Sequence, residues 1–367
     1  MNENTIVKSL NTLIDNDIES IKQTILLVDD EENNLQLLRR TLRGNYNIKT
    51  ATNGKEALEI IRNEGDTISL VVSDQKMPEM EGTEFLKHVS TTHPDIVKIL
   101  LTGHQDTDII VSAINDCQLY QYILKPFEPE ELKVSIQNGL KKYELSSHKN
   151  LILKDLKELF YKTIKSISFA LDAKDPYTHG HSLRVTLYSL ILANELNLED
   201  EVLEEIETAG LLHDIGKIGI PQNILCKQGK LTDEEFEVMK SHPVQGEKMI
   251  GNIKKLKLIA NWLKTHHERW DGKGYPSGLA GEDIPISARI IALADTYDAM
   301  TSTRPYRTAL SHEVAIEEIK RCAGTQFDPK LAELFVQLSD KIKAAQNNPD
   351  AYYNHYSYLQ KYIDSEL

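Results

Sequence analysis

The sequence predicts two domains of different class: an α/β domain on a five-stranded parallel sheet, joined by a long helix to an all-α domain. Three observations carry this prediction. Short apolar runs alternate with helical patterns from residue 24 to 140. From about Glu130 to Ala173 there is no proline and a single glycine, Gly139. Beyond that stretch the helical patterns lengthen and β-branched runs become scarce.

The elements follow in chain order. Ile6, Leu10, Leu13, Ile14 and Ile18 are spaced as the apolar face of a short helix, so 1–22 reads as an N-terminal helical extension. Ile25–Val28, Ile68–Val72, Val97–Leu101 and Tyr120–Leu124 are strand-like runs separated by helical stretches such as Lys55–Arg62. That alternation is the mark of βαβ units, which places an α/β domain at 23–142. Leu153, Leu156, Phe160, Thr163, Ile167 and Ala170 recur three and four residues apart. This is an a/d stripe, and it makes 143–173 a linker or signalling helix that pairs with a second copy or packs on its own domain. The all-α domain covers 174–345, and 346–367 is a tail rich in tyrosine.

Composition narrows the function. A chain of 367 residues with 40% apolar content buries more than one core. A net charge of -14 argues against a nucleic-acid polymer as partner, because such binders present a basic stripe. Cys117, Cys226 and Cys322 are far apart and match no ligand spacing, as in a reducing compartment. The acidic start has no signal-peptide pattern, and no apolar run reaches the roughly 18–20 residues of a membrane span. A cytoplasmic protein with no membrane partner is expected.

In the α/β half, three strand ends carry chemistry. ILLVDD ends on Asp29 and Asp30, VVSD on Asp74, and YILKP on Lys125. Strand ends of one parallel sheet converge on a common crevice. Clustered carboxylates repel, and Mg²⁺ relieves the repulsion. With Lys125 as a fixed cation and Thr102 of LLTGH as a hydroxyl donor, the pocket would hold a phosphoryl group on Asp74. An aspartate ending a strand is more often a turn residue, so the ordered set carries the reading. That set resembles the receiver domain of response regulators, a flavodoxin-like fold. The resemblance covers 23–142 and implies that Asp74 accepts phosphate from a histidine kinase. It also implies that Tyr122 is the aromatic that changes rotamer on activation.

In the helical half, five segments hold histidine or aspartate: KDPYTHGHSLRV, LLHDIGKIGIP, MKSHPVQG, THHERWDGKGYP and IIALADTYDAMTSTRPYR. His213 and Asp214 are adjacent, and neighbours on a helix diverge by about 100°, so the pair would serve two ions. A carboxylate has two oxygens, which makes Asp214 the natural bridge. His266 and His267 repeat the adjacent arrangement. His242, Asp295 and one of His179 and His181 complete a set of seven, too many for one ion. Two divalent transition metals about 3.5–4 Å apart share a hydroxide and lower the pKa of its parent water. That is a nucleophile for phosphodiester hydrolysis. A ligand set of imidazole and carboxylate suits iron or manganese before zinc or nickel.

HDIGKIGIP, HHERWDGKGYP and GTQFDP together resemble the HD-GYP phosphodiesterases over roughly 160–340. The resemblance implies His181 rather than His179 as the first ligand. It implies Lys217, Arg304 and Arg307 as phosphate contacts and Gly274, Tyr275 and Pro276 as substrate loop. Gly272, Gly274 and Gly278 fit a tight loop that backbone or ligand approaches closely. The implied reaction is hydrolysis of cyclic di-GMP to pGpG or GMP. Some members carry a glutamate one turn before the first histidine, for a third metal; here Tyr177 stands there, although Asp175 is close by. Hydrolysis of another cyclic dinucleotide, or of a mononucleotide, and a non-catalytic binding regulator remain the alternatives.

Overall fold

The computed structural model describes residues 22–103, 117–174, 180–303 and 308–358. The chain divides into two compact units, Met1–Leu153 and Lys154–Leu367. The expected extension at 1–22 lies almost wholly outside the described residues.

In the first unit, β1 (Thr24–Val28), β2 (Asn47–Ala51), β3 (Ile68–Asp74), β4 (Val97–Thr102) and β5 (Gln121–Leu124) form one parallel sheet. The strand order is β2-β1-β3-β4-β5. β1, β3 and β4 are buried along their whole length, as strands covered on both faces must be. Their side chains alternate between two cores. Leu26, Val28, Val71 and Leu100 face α2 (Gly54–Glu64) and α3 (Gly82–Thr92). Ile25, Leu27, Leu70, Val72 and Ile99 face α1 (Glu32–Leu42) and the start of α4. The order reverses between β1 and β3, and there the carboxyl ends of the strands open the ligand crevice.

α4 is a single helix, Pro129–Lys174. The last helix of the α/β domain and the expected linker are therefore one element. The first half of the a/d stripe is not what α4 buries, although Ile167 packs partly against the core. Leu153, Leu156 and Phe160 are 47%, 59% and 40% exposed, whereas Tyr161, Ile164, Ser168 and Leu171 are buried in the second unit's core.

The described part of the second unit is helical. α5 (His181–Glu195) is its hub, buried nearly throughout and packed against α6 (Asp200–Leu212) and α11 (Ile286–Thr301). A helix buried on nearly every face belongs at the centre of a core. Between α6 and α11 lie α7 (Gln222–Leu225), α8 (Asp233–Met239), α9 (His242–Ile250) and α10 (Lys257–Thr265). After α11 come α12 (His312–Cys322), α13 (Pro329–Gln337), α14 (Ser339–Asn347) and α15 (Pro349–Tyr356).

The tyrosine-rich tail joins this core up to Tyr358. Tyr353 and Tyr356 are buried in it, and α15 packs on α5. The fully buried carboxylate of Glu207 accepts from the hydroxyls of Tyr353 (2.7 Å) and Ser357 (2.5 Å) and from the Tyr358 backbone N–H (2.9 Å). Charge-assisted hydrogen bonds of this kind satisfy a carboxylate that burial alone would penalise.

Candidate functional site

The α/β unit brings Asp29, Asp74 and Lys125 together as the strand ends predict. Lys125 Nζ is 3.1 Å from Asp29 Oδ2 and 2.5 Å from Asp74 Oδ1. Asp29 Oδ1 accepts from the Glu31 backbone N–H (3.0 Å) and from Asn34 Nδ2 (2.9 Å), so its orientation is fixed. Asp74 Oδ2 accepts from the Lys76 N–H at 3.2 Å. Burial pushes the Asp74 carboxyl up, and the hydrogen bond from Lys125 opposes that only in part. Asp30 is exposed, and Thr102 is buried at the end of β4. Tyr122 is 40% exposed on β5.

In the helical unit, all seven expected ligands are described and converge. His181 begins α5, and Asp295 lies within α11. The adjacent pairs do not lie inside helices, contrary to the expectation for His213 and Asp214. His213 caps the end of α6, with Asp214 just beyond it, before the 3-10 turn Ile215–Gly219. His266 caps the end of α10. The physical reason is the free carbonyls of a helix's last turn. His213 Nδ1 lies 2.8 Å from Gly210 O, and His266 Nδ1 lies 2.6 Å from Leu263 O. His242, at the start of α9, does the same with Met239 O at 2.8 Å.

Each of these imidazoles has its Nδ1 occupied by a carbonyl, which leaves Nε2 with the lone pair. The Nε2 atoms of His213, His242 and His266 are buried and have no hydrogen-bond partner among the described residues. Three buried nitrogens unpartnered in one cluster call for a partner such as a metal ion or a water. Burial lowers the pKa of His242, to about 3, and those of His266 and His267, so all three are neutral and able to donate to a metal.

The nitrogens and oxygens fall into two groups. His242, His266 and His267 form one; His181, His213 and Asp295 form the other. Asp214 stands between them. Its Oδ1 lies 3.4 Å from His242 Nε2, and its Oδ2 lies 3.5 Å from His213 Nε2 and 3.8 Å from His181 Nε2. Burial alone would raise the Asp214 carboxyl, but Lys217 and His213 hold it well below the usual carboxylate range. The Lys217 ammonium pairs with Asp214 Oδ2. These donors fit a pair of metal ions.

Two residues that sequence reasoning missed support this centre. Asp298, one turn beyond Asp295 on α11, accepts at Oδ2 from His181 Nδ1 (2.7 Å) and pairs with Arg184 (2.6 Å). A carboxylate behind a histidine sets its tautomer and aims Nε2 inward. Their spacing in DTYDAM puts Asp295 and Asp298 on one helix face, the signal that would have found the second.

Glu268, next to His267, is the other. Its buried carboxylate accepts from the backbone N–H groups of Ser277 (2.6 Å), Gly278 (3.1 Å) and Leu279 (3.1 Å). It therefore clasps the loop that follows Gly274, Tyr275 and Pro276. A Cβ on Gly274 would stand 2.4 Å from Arg269 N, and Gly272 and Gly278 adopt φ of +74° and +69°. All three glycines are required by the turn. The Tyr275 ring lies 4.9 Å from that of His267, at the edge of the centre. GTQFDP braces the same loop: Thr325 O accepts from Asp271 N (2.8 Å), and Gln326 O accepts from Trp270 N (3.2 Å). Arg304, Arg307, Asp175, Tyr177 and His179 lie outside the described residues.

Among the described residues no helix is long and apolar enough to cross a membrane. Comparison with known proteins agrees with both halves. The response regulator receiver domain matches residues 25–137, and the HD domain matches 165–331. The "Cyclic di-GMP phosphodiesterase" of Thermotoga maritima is 33% identical over 87% of this chain and 91% of its own length. The "Cyclic di-GMP phosphodiesterase response regulator RpfG" of Xanthomonas campestris is 32% identical, over 85% of this chain and 87% of its own. The "3'3'-cGAMP-specific phosphodiesterase 2" of Vibrio cholerae is 37% identical over 53% of this chain and 37% of its own. Similarity of this extent joins the acidic pocket and the histidine-aspartate cluster in one protein: the chain belongs to the family of response regulators that couple a receiver domain to an HD-GYP phosphodiesterase domain.

Proposed function

We propose that this protein is a phosphorylation-controlled hydrolase of cyclic di-GMP, and that its second unit works with two divalent transition metals, iron or manganese. One observation carries the chemistry: the two oxygens of Asp214 face two separate groups of histidines. Two metals held by such groups supply a nucleophile of lowered pKa and neutralise charge during in-line displacement at phosphorus.

The chain's own residues do the rest. Asp298 and the carbonyls of Gly210, Met239 and Leu263 fix the imidazoles before any metal arrives, so little reorganisation is needed. Lys217 places a point charge beside Asp214, where a phosphate oxygen would approach. Arg304 and Arg307 are assigned the outer phosphate contacts, and Gly274, Tyr275 and Pro276 the edge of the substrate site. Tyr275 offers a ring face beside His267 for a nucleobase.

In the receiver unit Asp74 is the phosphoacceptor, and Asp29 and Asp30 hold Mg²⁺. Thr102 and Tyr122 are the switch pair, and a histidine kinase is the donor. The exposed stripe Leu153, Leu156 and Phe160 is assigned to pairing with a second copy of the chain, in the cytoplasm. Light scattering on Leu156→Glu should give a monomer where the natural protein gives a dimer.

Product analysis tests the substrate. Protein prepared with manganese, or with iron under anaerobic reducing conditions, should convert cyclic di-GMP to pGpG or GMP faster than 3'3'-cGAMP. The reverse preference would move the assignment to the other cyclic dinucleotide. Metal-free protein with full activity would sink the mechanism.

A further inference from the structure

The last turn of α4 touches the metal centre's supports at two places. Asp172, buried at the helix end, accepts a 3.0 Å hydrogen bond from Ser182 Oγ. Ser182 follows His181 in the first turn of α5. Two residues on, Lys174 Nζ donates to the carbonyl of Ile218 at 2.7 Å, with Lys217 O at 3.4 Å. Those carbonyls belong to the 3-10 turn Ile215–Gly219, which carries the side chain of Lys217 to Asp214. One helix end thus grips both the segment bearing His181 and the segment bearing Lys217.

The grip is anchored from behind. Tyr161, Ile164, Ser168 and Leu171 bury the preceding turns of α4 in the core. The Tyr161 hydroxyl lies 3.2 Å from that of Tyr353, which donates to Glu207. Glu207 is on α6, the helix whose end carries His213. A shift or rotation of α4 along this face has no slack to absorb it before it reaches α5 and the 3-10 turn, because close-packed interiors transmit strain.

We infer that Asp172 and Lys174 are positioning residues for the metal centre, and that the last turn of α4 is where the signalling helix acts on hydrolysis. The inference rests on the phosphodiesterase reading of the centre. Neither residue is assigned contact with substrate or metal; they act through Ser182 and through the backbone of the Lys217 turn.

The test uses the full chain loaded with manganese and two substitutions outside the catalytic set, Lys174→Met and Ser182→Ala. Each removes one donor and keeps the surrounding packing. Hydrolysis of cyclic di-GMP and the rate of manganese loss to a chelator are both measured, with and without acetyl phosphate. Displacing a group that orients metal ligands costs about tenfold or more. Lys174→Met should therefore lower kcat by about tenfold with KM and manganese content retained, and Lys174→Arg should restore it. Ser182→Ala should speed manganese loss. Acetyl phosphate should change the loss rate of the natural protein and leave both variants unchanged.

Variants that hydrolyse and release metal at natural rates overturn the inference. So does a natural protein whose metal loss is indifferent to acetyl phosphate. A natural protein that binds manganese yet hydrolyses no cyclic dinucleotide defeats the proposed function instead, and the chelator rates still decide the positioning role. If Lys174→Met loses its thermal transition, Ser182→Ala carries the decision alone.

Discussion

Both units build a pocket from aspartates and one lysine, and the two pockets are suited to different tasks. In the receiver, Lys125 spans Asp29 and Asp74, and Asp30 stands exposed at the mouth. In the HD unit, Lys217 pairs with one oxygen of Asp214, and histidines line the remainder. The decisive difference is in the orphaned atoms. The HD centre holds buried Nε2 atoms with no hydrogen-bond partner among the described residues, and Asp29 and Asp74 of the receiver are met by Lys125, Asn34 and backbone N–H groups. A cluster of carboxylates alone suits a hard, hydrated cation. Imidazoles whose far nitrogens are already tied down are ligands better suited to softer divalent metals than carboxylates alone.

Asp214→Asn breaks the comparison most severely. The amide nitrogen turns one face of the bridge from acceptor to donor. Hydrolysis of cyclic di-GMP should fall by more than about 100-fold, beyond the upper end of what losing a merely orienting group costs. Circular dichroism should show the helices intact. Near-normal turnover would refute the bridge.

Asp298→Asn should cost less, about 10- to 100-fold in metal affinity or activity. It spares every proposed ligand, loosens the aim of His181 and weakens the pair with Arg184. Added manganese should recover part of the loss, and full activity at low manganese would remove Asp298 from the centre.

Glu268→Gln is milder again. The uncharged amide keeps one oxygen for three N–H groups and brings its own donors to the loop. Unsatisfied buried donors cost about 1–3 kcal/mol, and the loss falls on the loop bearing Tyr275. KM should rise by roughly tenfold, which about 1.4 kcal/mol produces, with metal content unchanged. An unchanged KM would detach the loop from substrate.

These substitutions also mark what could be read in the sequence. Asp29, Asp74 and Lys125 were legible because a parallel sheet gathers its strand ends by topology. The histidine-aspartate cluster was legible in part, as the two adjacent pairs His213-Asp214 and His266-His267 with His242 and Asp295 in segments of their own, and the family resemblance pointed to His181. Glu268 and Glu207 were not. Each is a carboxylate that reads as solvated in sequence, and each is buried only because a distant segment folds onto it: the loop at Ser277–Leu279 for one, the end of α15 for the other. The helix-end placement of His213 and His266 was also missed, since periodicity marks a helix's face better than its last residue.

Asp74→Asn should have the smallest effect on basal hydrolysis, and it sharpens the contrast from the receiver side. The substitution removes one of the two carboxylates that Lys125 spans, and Asp29 remains, held by Glu31 N and Asn34. The ammonium keeps a partner, so the sheet has no reason to open. Labelling by a small phosphodonor such as acetyl phosphate should disappear, because Asn offers no carboxylate to attack phosphorus. Unphosphorylated hydrolysis should stay within about twofold of the natural protein, the scale of substitutions remote from the affected site. Persistent labelling would show that another residue accepts the phosphate. A large fall in basal turnover would show that the acidic pocket sets the state of the metal centre even before phosphate arrives, and the two pockets would then have to be treated as one device.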